Sequence, residues 1–298
     1  LLKDPAQPND PAPSLLEPRD ASIGEPAAAS ADITAAGEGV VASTRGDLIP
    51  RVVWGTLSVA AVLGFYWLVT IRPGANQVIT PPPPAVLDAL LDGLAKGSLL
   101  GHVWASLYRV LVGFAIGVVL AVVVGCTAGW FRTAGYILDP LIEAVRPIPA
   151  LAYIPLIIVW VGIDEAARIT IIWLAVFKPT VVNARQGMKE IPKIYVEAAE
   201  SLGTSKLATF WRVALPNAIP FIVSGMRIGL ATGFLALVAA ELIASSNGLG
   251  FLIANSGQNL RIDRVLMGIV VIGVVATILD AVAVRLQAYL TRWSEVRR

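Results

Sequence analysis

The chain has 298 residues, of which 56% are apolar and only 15% charged, with a net charge of +2 and a mean hydropathy of +0.73. A water-soluble domain averages about 45–50% apolar and about 25% charged residues, so the polar side chains here are too few to cover a water-facing surface, and lipid must cover much of it. The weak net charge excludes a strong field for nucleic acid, and a single cysteine and a single histidine exclude an internal disulfide and a Cys/His metal cluster.

Up to about residue 49 the sequence is rich in Ala, Pro, Asp and Glu and lacks a helical apolar period, which predicts a disordered tail (1–49) ahead of a transmembrane domain (50–298). A first span is predicted over 50–71, about the length that crosses a hydrocarbon core, with Trp54 and Trp67 near its ends as interface anchors. Pro81 to Pro84 interrupt regular helix; beyond them Val86, Leu87, Leu90, Leu91 and Leu94 recur at helical spacing against Asp88, Asp92 and Lys96, the pattern of an amphipathic surface helix. His102 reads as a satisfied or solvent-facing histidine, and Cys126 as a small buried hydrophobe.

Further spans are predicted over 110–131, 145–161, 166–182, 218–244 and 265–290. The one at 145–161 is broken by Pro147, Pro149 and Pro155 and therefore belongs inside the bundle, where neighbours can satisfy freed carbonyls. Gly113 with Gly117, Gly125 with Gly129, and the series Gly225, Gly229 and Gly233 form small faces that let helix backbones approach closely, so the second and fifth spans are expected at the centre. The fold class is all-α, a polytopic membrane protein of six spans. Lys and Arg collect at one side of it, which predicts both termini and the long 183–217 loop to be cytoplasmic, and the proline-rich and 245–264 segments to be outside.

Charge within the spans is costly and calls for a role. Arg146, Arg227 and Glu241 are candidates either for the wall of a passage or for structural ion pairs. Arg109 is explained by snorkelling to the outer interface, and Asp280 by an interfacial pairing with Arg285.

The most informative segment is EAAESLGTSKLATFWRVALP, Glu197 to Pro216. Val196 to Leu202 makes helical turns, Gly203 permits a left-handed turn, and Thr204 is placed to cap a second helix that runs from Ser205 to Leu215, where Pro216 and Pro220 set the junction with the fifth span. A mere connector needs only a few residues, whereas this loop builds a compact helix-turn-helix suited to a partner protein. An interfacial hairpin lying on lipid is the alternative; Ala198, Ala199 and Gly203 suit close helix contact better.

These residues resemble the EAA signature of permease subunits of ABC importers, and the likeness runs from about Val103 to Trp293. RPIPALAYIPL around Arg146, LVAAELI around Glu241 and SSNGLGFLI from Ser245 resemble the nitrate/sulfonate/bicarbonate (taurine-type) permeases in particular. The resemblance implies that Glu197, Ala198, Ala199, Gly203, Leu215 and Pro216 couple to a separate ATPase. It also implies a second permease copy, two cytoplasmic ATPase subunits, a periplasmic or lipid-anchored solute-binding protein, and a bacterial inner-membrane location. No G-x-x-x-x-G-K-[ST] pattern occurs, so no cofactor is expected in this chain; ATP and Mg would be bound by the partner ATPase. A small anionic solute such as a sulfonate, nitrate or bicarbonate is the expectation. The rival classes are an ion-coupled secondary transporter or channel, which would need several midplane carboxylates, and a membrane-embedded enzyme, for which H-E-x-x-H and G-x-S-x-G patterns are lacking.

Overall fold

The computed structural model describes residues 48–72, 76 and 78–292, and among these the chain is helical without strands. The expected tail lies outside the described residues up to residue 47, as does the end carrying Arg297 and Arg298. The chain divides between Leu63 and Gly64 into two units. In the first, the opening of helix α1 (Leu48–Thr70) exposes Val53, Trp54, Leu57, Val62 and Leu63, the surface of a helix made for an apolar medium.

The second unit includes α2 (Pro83–Ala95), whose leading prolines stand where a helix has no use for the missing N–H. Its apolar stripe packs Ala89 with Leu99, Leu249 and Met267, and its polar stripe holds Asp92 2.5 Å from Lys96 and 3.6 Å from Arg264. The hydrogen bond from Lys96, reinforced by Arg264 and Arg261, holds the Asp92 carboxyl below its usual range.

Helix α3 (Ser98–Trp130) runs 33 residues and reaches back past His102 and Arg109, well before the predicted start at Val110. It is followed by α4 (Arg132–Val145), an amphipathic helix between the predicted 110–131 and 145–161 spans. The chain then breaks at Pro147 and Pro149, makes one tight turn over Ala150–Tyr153, and forms the short α5 (Ile154–Val161). The 145–161 segment is therefore not a helix that crosses a membrane by itself, since eight residues rise only about 12 Å. Its length suffices only together with α4, from which it is bent by 89°.

Helix α6 (Glu165–Lys189) lies at the centre. The glycine faces of the second and fifth spans, expected at the centre, both close onto this helix. A methyl at Gly113 would meet Ile172 at 2.6 Å, and one at Gly125 would meet the Val181 carbonyl at 2.7 Å. From the other side, a methyl at Gly225 would lie 2.6 Å from Asn183, and one at Gly233 would lie 2.9 Å from Val176. With partners on both flanks, α6 buries Ile171, Ile172, Val176, Val181 and Ala184, and it is the least apolar of the long helices.

Next come α7 (Lys193–Ser201), α8 (Lys206–Thr209), a π turn at Phe210–Ala214 and α9 (Leu215–Ala244), then α10 (Leu249–Gln258) and α11 (Ile262–Leu290). Pro216 and Pro220 do not interrupt the run from α8 to α9. The wide turn, closed by the Leu215 N–H on the Phe210 carbonyl, shifts the register ahead of the prolines, so the helix continues. Among the described residues three helices are long and apolar enough to cross a membrane, Ser98–Trp130, Lys206–Ile243 and Ile262–Leu290, and the bent pair of α4 and α5 would make a fourth.

Candidate functional site

The 183–217 region holds a rooted hairpin. Gly203 adopts φ of +76° after α7, its N–H donates to the Glu200 carbonyl at 2.9 Å, and the Thr204 N–H reaches the Ala199 carbonyl at 3.1 Å. The cap of α8 is Ser205, whose hydroxyl accepts from the Ala208 N–H at 3.3 Å; the Thr204 hydroxyl, expected in that role, bonds back to Ala199 instead. Ala199 is buried against this turn, whereas Glu197 and Ala198 face outward.

The root is apolar. Leu215 packs with Ala184, Met188, Ala214 and Ala218, and the Phe210 ring lies 6.0 Å from Trp130 and 6.1 Å from Phe131. The tip is bare: Leu202 is 84% exposed, Ile194, Leu207 and Trp211 are also exposed, and a side chain added at Gly203 would meet nothing within 4 Å. Of the predicted coupling residues, Glu197, Ala198 and Gly203 are therefore on the outer surface, while Leu215 and Pro216 sit at the root.

Glu241 and Arg109 meet across α9 and α3 in a closed network. The Glu241 carboxylate accepts from Arg109 Nη1 at 2.6 Å, from the Ser106 hydroxyl at 2.8 Å and from the Gly250 N–H at 2.8 Å. Arg109 also donates to Glu165 at 2.8 Å and 2.9 Å, to the Asn247 carbonyl at 2.9 Å and to the Asn247 side chain. Arg109 is completely buried, so snorkelling does not describe it; it is the cation that neutralises Glu241. The segment after α9 is fastened to the same network, with the Gly248 N–H donating to His102 Nδ1 at 3.0 Å and the Leu249 N–H to Ser106 at 2.8 Å. Gly248 has φ of +109°, and a side chain there would collide with Arg109 Nη1 at 2.6 Å. His102 is thus a satisfied histidine that clamps this loop.

Arg227 makes a paired contact with Asp280 on α11, at 2.9 Å and 3.2 Å, beside a cleft of about 360 Å³. Asp280 therefore takes Arg227 as its partner, not the Arg285 expected from sequence spacing. Arg146 stands apart from both networks. It ends α4, lies 3.7 Å from Glu143, and lines an open cavity of about 470 Å³ between the proline break, α6 and α9. Lys178, which the sequence places only among the basic residues of the cytoplasmic side, lines the same cavity. Its position inside an otherwise apolar run was the available signal. On the far side of α4, Arg185 bonds Asp139 at 2.5 Å and Glu143 at 2.9 Å, and Lys189 lies 3.2 Å from Asp139, so the polar stripe of α4 is spent on α6.

The family described as "Binding-protein-dependent transport system inner membrane component" matches residues 113–293. The taurine transport system permease protein TauC of Escherichia coli (strain K12) is 46% identical over 170 residues, 57% of this chain and 62% of that protein. A probable ABC transporter permease protein of Brucella abortus (strain 2308) is 38% identical over 58% of this chain and 69% of its own length. The bicarbonate transport system permease protein CmpB of Synechococcus elongatus is 33% identical over 57% of this chain and 60% of its own length. The match thus spans less than two thirds of the taurine and bicarbonate relatives. A chain from inward-facing structures of the MetNI methionine ABC transporter superposes with a TM-score of 0.56 at 21% identity, over 65% of this chain and 96% of that one. This last likeness concerns the fold.

Proposed function

Because this chain belongs to the binding-protein-dependent transport system inner membrane component family, we propose that it is the permease subunit of an ATP-driven importer, providing the passage while a separate subunit hydrolyses ATP. The observation that carries the reading is the hairpin from α7 to α8, which lies inside the matched residues and joins a firmly packed root to an exposed apolar tip. A lever of that shape transmits a push from a docked partner into α9, with which it is continuous through the π turn.

In this reading Glu197, Ala198 and Gly203 form the ATPase-docking surface, the buried Ala199 holds the turn beneath it, and Leu215 and Pro216 are the joint that passes movement to the bundle. Two copies of the chain enclose the passage, two ATPases grip their hairpins, and a solute-binding protein delivers from outside. The chain makes six spans with both termini and the hairpin in the cytoplasm; α6 counts as one because protein shields its polar residues from lipid. The solute is a small anion, in line with the taurine and bicarbonate named for its relatives. Arg227 and Glu241 act as structural charges, each held by its own partner, and Arg146 faces the cavity.

The test is ATP-dependent uptake by proteoliposomes holding the whole complex, comparing wild type with Gly203→Asp. An aspartate there strains a left-handed backbone by about 1 kcal/mol and meets no group of its own chain, so the permease should insert and remain folded while uptake and ATPase co-purification are lost. Unimpaired uptake by the variant would remove the docking assignment.

A further inference from the structure

The cations of the bundle core have carboxylate partners. Arg109 and Arg168 face Glu165, Arg109 also faces Glu241, Arg185 faces Asp139 and Glu143, and Arg227 faces Asp280. Lys178 differs. It lies on α6 with the glycine-lined contacts on both flanks, yet among the described residues no carboxylate comes within 4.0 Å of its ammonium. Its Nζ donates to the Ile148 carbonyl in the proline break and lies 5.7 Å from the centre of the Tyr153 ring. Lys178 is half-buried, and a carbonyl dipole and an aromatic face offset only part of the cost of stripping some of the water from a cation.

What this ammonium faces is space. The cavity of about 470 Å³ falls within the range of small-ligand sites and has Arg146, Lys178, Asn183 and Thr232 as its polar members, with no acidic side chain in its wall. The Thr232 hydroxyl is within 3.0 Å of the carbonyls of Ala175 and Gly229, and the Asn183 amide donates to the Pro179 carbonyl at 2.8 Å. The charged donors that face the cavity are therefore Lys178 and Arg146, whose own carboxylate neighbour, Glu143, is engaged by Arg185.

We propose that Lys178, assisted by Arg146, is the contact for a small oxyanion in transit, and that the solute itself supplies the negative charge this lysine lacks. The inference rests on the importer reading and deepens it, by naming the class of solute and the residue that meets it. One ammonium and one exposed guanidinium are also a suitable strength of site: a passage must attract its solute without retaining it. A bound carboxylate partner of the kind given to Arg109 would defeat that purpose.

The test uses proteoliposomes of the complete complex, with ATP-dependent uptake of methanesulfonate, taurine and bicarbonate as probes, for wild type, Lys178→Gln and Lys178→Arg. The expected result is a fall in maximal uptake of about tenfold or more for Lys178→Gln, the size of one lost charge-assisted hydrogen bond, with Lys178→Arg within about threefold of wild type. Size-exclusion chromatography of the complex is the readout that a purely structural role would move. Wild-type rates in Lys178→Gln would overturn the inference and leave the importer reading intact. A Lys178→Gln chain that no longer assembles with the ATPase would make Lys178 a packing residue, which also overturns it. Absence of ATP-dependent uptake of all three probes by the wild type would instead remove the anion-importer reading, and the inference with it.

Discussion

At Glu241 the carboxylate has three donors around it, the Ser106 and Arg109 side chains of α3 and the Gly250 N–H in the first turn of α10, so little of its charge is left to meet a solute. Removing one member of a buried ion pair leaves the other uncompensated, at a cost of about 3–5 kcal/mol. Glu241→Gln keeps the shape and removes the charge that Arg109 needs. It should lower the unfolding temperature in detergent and loosen the 245–250 loop, detected as faster hydrogen exchange at Gly248 and Leu249, while the relative rates for different anions in the residual uptake stay the same. A changed anion preference would assign Glu241 to the passage. The oddity of Glu241 was legible in the sequence, since a carboxylate amid apolar residues needs a reason. Its partner was not, because Arg109 is separated from it by 132 positions and local spacing carries no information about such a pair. The same blindness led Asp280 to be matched with the nearby Arg285 when Arg227, 53 positions away, is the group it meets.

Among the elements, the glycine faces are the most decisive feature, because backbone at those distances leaves no space for even one methyl. A valine at Gly125 would place its Cβ 2.7 Å from the Val181 carbonyl, which is backbone and cannot turn aside. Overpacking of a tight contact costs about 1–3 kcal/mol, so Gly125→Val should reduce thermal stability in detergent and the yield of folded protein. Gly273→Val, where an added Cβ meets nothing within 4 Å, is the control and should change neither. Equal behaviour of the two would mean that the α3 and α6 backbones are not in contact. The small-residue period gave away which faces pack, but not against what; both faces close onto α6. Hydropathy missed α4, since Asp139 and Glu143 interrupt its apolar run; in the structure these carboxylates turn onto α6 while Tyr136, Ile137 and Leu141 stay exposed. The hairpin was legible almost residue by residue, because Gly203 and a short polar residue at a cap are local signals. Only the choice of Ser205 over Thr204, and the π turn that carries the helix past Pro216, depended on geometry the sequence does not express.

For the molecule as a whole, the proposed topology puts the hairpin tip and the 245–250 loop on opposite sides of the membrane. In a Cys126→Ala background, a cysteine at Leu202 should react with a membrane-impermeant maleimide only when the cytoplasmic face is open, and one at Ser246 only from outside; both positions are exposed. Labelling of both from one side would reverse or discard the six-span arrangement. The central place of α6 has a further consequence, for how the protein is made. A helix that carries Arg168, Lys178, Arg185 and Lys189 and relies on neighbours to hide them is a poor candidate for release into lipid by itself as it leaves the ribosome. One of its two shields, α3, has already been synthesised by then, but the other, α9, has not. Biogenesis must therefore keep α6 beside α3, or within the insertion machinery, until the later helix arrives to complete its enclosure.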